Sequence, residues 1–129
     1  MKITFEKLSN LSLIYIKLKE SNGKVKTIQD ALCELLFDKD NNWIGINIFN
    51  ESKCCGEFIL PNVKSIGNIN IQQTDEMVTI LFNEMTNTYC KREELCNVDY
   101  NENEFLGIEI ILKDFNCNTE VIAAFTIFR

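Results

Sequence analysis

A chain of 129 residues, 46% of them hydrophobic and 25% charged, has room for one compact domain and a composition that excludes intrinsic disorder. Its formal charge of −6 is unevenly held: residues 1–64 carry nine Lys against eight Asp or Glu, and residues 65–129 carry four Lys or Arg against eleven. An acidic second half repels phosphate backbones, which excludes a nucleic-acid partner, and it speeds encounter with a basic protein while also serving solubility.

The chain begins Met1-Lys2-Ile3-Thr4-Phe5-Glu6, without the apolar stretch and cleavage site of a signal peptide, and no apolar run approaches the roughly 20 residues that span a bilayer. The expectation is a cytoplasmic protein that does not enter a membrane. Period-two alternation then dominates. Ile3 and Phe5 share one strand face, as do Ile14, Ile16 and Leu18. Thr27 to Phe37 reads as a helix capped by Thr27 or as a strand ending in Leu35-Leu36-Phe37. Trp43-Ile44-Gly45-Ile46-Asn47-Ile48 is a strand with a glycine inside it. Pro61, the single proline, lies in a connecting stretch over 60–67. Ile69-Asn70-Ile71-Gln72, Val78 to Phe82, Leu95 to Asp99, Phe105 to Ile110 and Glu120 to Phe128 are further strands. Asn, Asp, Ser and Gly clusters at 9–10, 21–23, 40–42, 73–76, 101–104 and 116–118 mark the turns.

The two halves repeat one pattern. Ile14 and Ile16 match Ile80 and Phe82 at an offset of 66, Leu32-Cys33 matches Leu95-Cys96, Phe37-Asp38 matches Val98-Asp99, and Gly45 matches Gly107 at an offset of 62. Repetition of this kind means two copies of one supersecondary unit packed together. The predicted architecture is mainly β: a single domain over 1–129 made of two antiparallel meander repeats, about 1–64 and 65–129, sharing a sandwich-like or barrel-like core. At most one or two short helices are expected. Alternation in Leu95 to Asp99 favours strand for its counterpart, with a helix over 27–34 as the alternative. Gly45 and Gly107 are read as structural, allowing a bulge or a close backbone approach.

The motifs "MKITFE", "LIYI", "FDKD" and "WIGINI" in the first half, with "NVDYN" and "FLGIEI" in the second, resemble a widespread family of short bacterial proteins, the domain-of-unknown-function family 2283. Together the matches cover most of the chain. Asn41 stands where that family has a turn glycine, and Asn47 replaces its usual acid. The resemblance implies antiparallel strands with a short helix at most, and it carries no activity, substrate or cofactor.

Candidate chemistry is thin. There is no histidine, so Ser-His-Asp and Cys-His nucleophiles and His-ligated metals are excluded. The six cysteines contain no C-x-x-C, and vicinal Cys54-Cys55 is a poor zinc knuckle, so buried structural thiols are preferred over a Cys-only zinc site. The acidic turns at 38–42 and 99–104 lack the spacing of a calcium loop. Paired carboxylates for sugar hydrolysis cannot be placed in a chain this small. No catalytic residue, metal or cofactor is expected, and the protein is read as not an enzyme. It is read as an acidic binding protein of the immunity or antitoxin kind, which neutralises a basic toxin domain such as a nuclease. Glu93, Glu94, Asp99, Glu102 and Glu104 are the candidate charges and Tyr100 the aromatic anchor. The alternative is a self-associating module pairing through strand edges. The oligomeric state stays open.

Overall fold

A computed structural model describes residues 2–8, 11–21, 23–61, 70–82, 87–102 and 104–113. They form nine strands and no helix: β1 (Lys2–Lys7), β2 (Leu11–Lys17), β3 (Lys26–Phe37), β4 (Trp43–Ser52), β5 (Gly56–Glu57), β6 (Asn70–Gln73), β7 (Met77–Leu81), β8 (Cys90–Asn101) and β9 (Glu104–Lys113). The expected strand at 120–128, its neighbouring turn at 116–118, Cys117, the turn at 9–10, residues 62–67 of the connecting stretch and Ile69 of the strand expected after it lie outside the described residues.

Every pairing is antiparallel, and the strands make one sheet in the order β1-β2-β9-β8-β3-β4-β7-β6, with β5 beside β4. The sheet curls into a half-barrel. Its inner face collects one residue in two from each strand, which is what the alternation requires. Ile14, Ile16, Leu35, Ile46, Ile48, Ile80, Ile108 and Ile110 are all fully buried there. Each such side chain contributes about 1.5–3 kcal/mol of transfer free energy relative to exposure. Residues 26–37 are strand throughout, and Thr27 caps no helix: its hydroxyl donates to Asp99 Oδ1 at 2.7 Å. Mid-strand, Asp30 takes a φ of 53°, and the β3–β8 register shifts there, between Ile28 and Ala31.

The strand order has a symmetry that alternation does not announce. Exchanging β1–β4 with β6–β9 leaves the order unchanged. A meander confined to each half would pair β2 with β3, but β2 pairs with β9 and β7 pairs with β4. The hairpins of the two halves therefore interleave, and β3 lies beside β8 at the centre.

Register also corrects the sequence alignment. Ile16 lies opposite Ile108 as Ile80 lies opposite Ile46, so β2 and β7 correspond at an offset of 64 (80 minus 16), in place of the expected 66. Val98 likewise corresponds to Leu35 through their partners Ile108 and Ile46, where the sequence matched it with Phe37. A slip of two residues keeps every side chain on its own face, so a hydrophobic pattern cannot detect it. The match of Cys33 with Cys96 holds, since they lie opposite Ile48 and Ile110.

Both glycine motifs carry a bulge. Phe37 pairs with Trp43 and Leu36 with Gly45, leaving Ile44 as the extra residue; Tyr100 pairs with Phe105 and Asp99 with Gly107, leaving Leu106. The extra residue reverses the alternation. Trp43 and Phe105 consequently join the core, 0% and 3% exposed, whereas a regular strand would put them on the glycine face. The Trp43 ring meets Phe82 edge-on with centroids 4.7 Å apart, and its Nε1 donates to Gly45 O at 2.8 Å.

Candidate functional site

With one face filled by the core, any partner contact through the sheet must use the other, open face. There the strands do not present a purely polar surface. Leu13 on β2, Ile111 on β9, Leu95 on β8 and Leu32 on β3 are consecutive cross-strand partners. Beyond the irregularity in the β3–β4 pairing, Phe49 on β4 and its partner Met77 on β7 continue the line. All six are half-buried. The line respects the symmetry of the sheet, with Leu95 corresponding to Leu32, Ile111 to Phe49 and Leu13 to Met77.

Polar rows flank this stripe. On one side Glu109 accepts from Asn97 Nδ2 at 3.0 Å, and the Asp30 backbone N–H donates to Asn97 Oδ1 at 3.1 Å. One row farther, Asp99 accepts from the Tyr15 hydroxyl at 2.8 Å and from Thr27. Burial, then the hydrogen bond to Asp99, pushes the Tyr15 phenol above its ordinary value, so Tyr15 stays a neutral donor. On the other side Asn47 Nδ2 donates to Glu34 at 3.2 Å, Thr79 donates to Asn47 at 2.6 Å, and Glu93 lies opposite Glu34. Most of these carboxylates are held by neutral donors, which fix them without cancelling their charge. Lys91 Nζ, half-exposed, stands 4.0 Å from Glu34. A depression of about 380 Å³ opens beside the stripe, lined by Leu32, Leu95 and Ile111 at its apolar side and by Asp30, Glu93 and Lys53 around it.

No family model, curated protein or solved structure matches the chain.

The charges singled out from the sequence divide between the two ends of β8. Glu93 is exposed and makes no ion pair among the described residues. Glu94 is half-buried and bound to Arg92 Nε at 2.6 Å; burial pushes its carboxyl up, and Arg92 pulls it back. Five residues on, roughly 17 Å along an extended strand, Asp99 is engaged by Tyr15 and Thr27. Tyr100 is half-buried opposite Lys26 and Phe105. Glu102 sits exposed in the β8–β9 turn with a φ of 53°, and Glu104 pairs with Lys19. Only Glu93 and Glu94 border the depression. Sequence reasoning missed Asp30, Glu34 and Glu109, along with the stripe itself. The signal was present in doubled apolar residues, Leu13-Ile14, Leu32-Cys33, Leu95-Cys96 and Ile110-Ile111, which break the alternation at one level of four strands.

The cysteines do not behave alike. Cys33 and Cys96 are buried, and the contact with Cys96, reinforced by burial, pushes the Cys33 thiol up. Such thiols are inert fillers of the core. Cys54, Cys55 and Cys90 are exposed, against the expectation of burial. Cys54 and Cys55 are held in the β4–β5 turn by backbone N–H bonds to Ser52 Oγ, and the Cys54 thiol donates to Asp30 at 3.0 Å. Among the described residues no group of three or more Cys, Asp or Glu is placed to hold a metal ion, and no helix is long and apolar enough to cross a membrane.

Proposed function

We propose that this protein is a non-enzymatic, cytoplasmic binding protein of the immunity or antitoxin kind, which neutralises a basic toxin domain by covering it. The observation that carries this reading is the open face, where an apolar line runs between carboxylates fixed by neutral donors. A face of that kind attracts a cationic surface over distance and then offers apolar area to bury on contact. The edge strands favour a hetero-partner over self-pairing. Strand β6 is only four residues long, and β1 presents exposed Lys2 and Glu6, features that blunt edge-to-edge association.

The test is capture followed by function. The tagged full chain is expected to retain a basic protein from lysate at low salt and to release it as salt screens the charges. Expressed alone, that protein arrests growth, and co-expression of this chain restores it. A captured protein that is acidic, or harmless when expressed alone, would sink the reading.

A further inference from the structure

We infer that the six-strand stripe is a docking surface for a basic amphipathic helix of a partner protein. This rests on the binding-protein reading above only for the sign of the partner's charge. Its six side chains stand on adjacent strands from β2 to β7, across the outside of a sheet that curls into a half-barrel. A straight helix therefore meets the middle of the stripe, Ile111, Leu95 and Leu32 on β9, β8 and β3. At about 4.8 Å per strand these span roughly 10 Å, and a helix pitch of about 5.4 Å places about one apolar contact on each. Helices commonly cover the faces of antiparallel sheets.

Charge selects the occupant. Glu109 and Asp30 lie on one flank of the stripe and Glu34 and Glu93 on the other, so an apolar helix edged by Lys or Arg on both sides would pair with both rows. A second copy of this chain would set carboxylates against carboxylates, which opposes association. The depression beside Leu32, Leu95 and Ile111 gives one large apolar residue of the helix a pocket, the usual place of an anchor. Asp30 lines that depression at the break in the β3–β8 register, with φ 53°, and accepts from the Cys54 thiol.

A methyl-labelled sample of the full chain, titrated with a synthetic 16-residue Leu/Lys amphipathic helix, tests this. Shifts are expected at the methyls of Leu32, Leu95 and Ile111, around the depression. Peptides with every Lys changed to Glu, or every Leu to Ser, should bind at least about tenfold more weakly. Glu93→Lys, at an exposed position that leaves the fold intact, should weaken the Leu/Lys peptide by about threefold at low salt and not at high salt. Leu95→Ser should weaken it by about tenfold. Four results would overturn the inference: shifts confined to other surfaces, equal binding of the Ser/Lys peptide, equal binding of the Leu/Glu peptide, or stripe methyls already shielded from a soluble paramagnetic agent in the free protein. The last would mean that a second copy or another segment of the chain covers the face. Peptide binding at the stripe without any captured toxin would refute the neutralising role alone; capture without peptide binding would refute the docking surface alone.

Discussion

A Cβ at Gly45 would run into the carbonyl oxygen of Ile80 and come within 2.9 Å of Leu81 Cδ2, whereas at Gly107 it would run into the Tyr15 phenol. The two glycines hold corresponding places, yet one faces backbone and the other a side chain. Gly45→Val should therefore lower the melting temperature by about 5–10 °C, since the neighbouring strand cannot step aside. Gly107→Ala should also destabilise, and its cost should shrink in a Tyr15→Ala background, which empties the space the new methyl needs. A double-mutant cycle by thermal melting checks this; additive losses would show that Tyr15 is not what Gly107 accommodates. At Asp38 the question is charge. Its carboxylate accepts from the backbone N–H groups of Asn42 and Asp40 and from the Asn42 side chain, and these bonds hold it below the ordinary carboxylate range. A lowered folded value means stability that is present above about pH 4 and lost as pH falls through the folded value. Melting temperatures of the native chain and Asp38→Asn should accordingly converge on acidification from pH 5 towards pH 2.

At the scale of the element, the bulge decides what the motif "WIGINI" does. Tight alternation from Ile46 and Ile48 backwards would send Trp43 to the glycine face; the extra Ile44 sends it inward instead. Trp43 is the only tryptophan, so fluorescence reads this directly. Native emission should be blue-shifted and resistant to acrylamide, moving to the red on unfolding, and a red, quenchable native spectrum would contradict the bulge. The alternation of each strand was legible in the sequence because inward positions are Ile, Val and Leu at period two. The glycine pointed to a bulge or a close approach at this place, but which way Trp43 would face was not legible, because one inserted residue leaves composition untouched and changes only phase. The stripe was half-legible: doubled apolar residues were visible in each strand, but register alone brings Leu13, Ile111, Leu95 and Leu32 into line.

Over the whole molecule, interleaving ties the halves together. Strand β2 has its inner partner in β9, and β4 has its in β7, so neither half carries its own complete sheet. Unfolding should be a single transition, with fluorescence and circular dichroism coincident. A fragment ending at residue 61 should be unfolded, or dimeric with a second copy standing in for β9; a stable monomeric fragment would show that the interleaved pairings are dispensable. Three pairings, β2 with β9, β3 with β8 and β4 with β7, join strands distant in sequence, so folding should also be slow for a chain of this length.

The sequence by itself determined that this protein is antiparallel β, which aliphatic residues of its regular strand segments face the core, where most turns fall, and that its charge is acidic. Those properties are written locally, in residues two apart or in a turn of four. Only the tertiary structure decided which strands are neighbours, by how many residues each pair is displaced, and which carboxylates stand together. The six acidic and aromatic candidates taken from the second half of the sequence were close along the chain, but an extended strand carries its two ends far apart. The carboxylates around the stripe come from β3, β8 and β9, residues from both halves that only cross-strand pairing brings to one face.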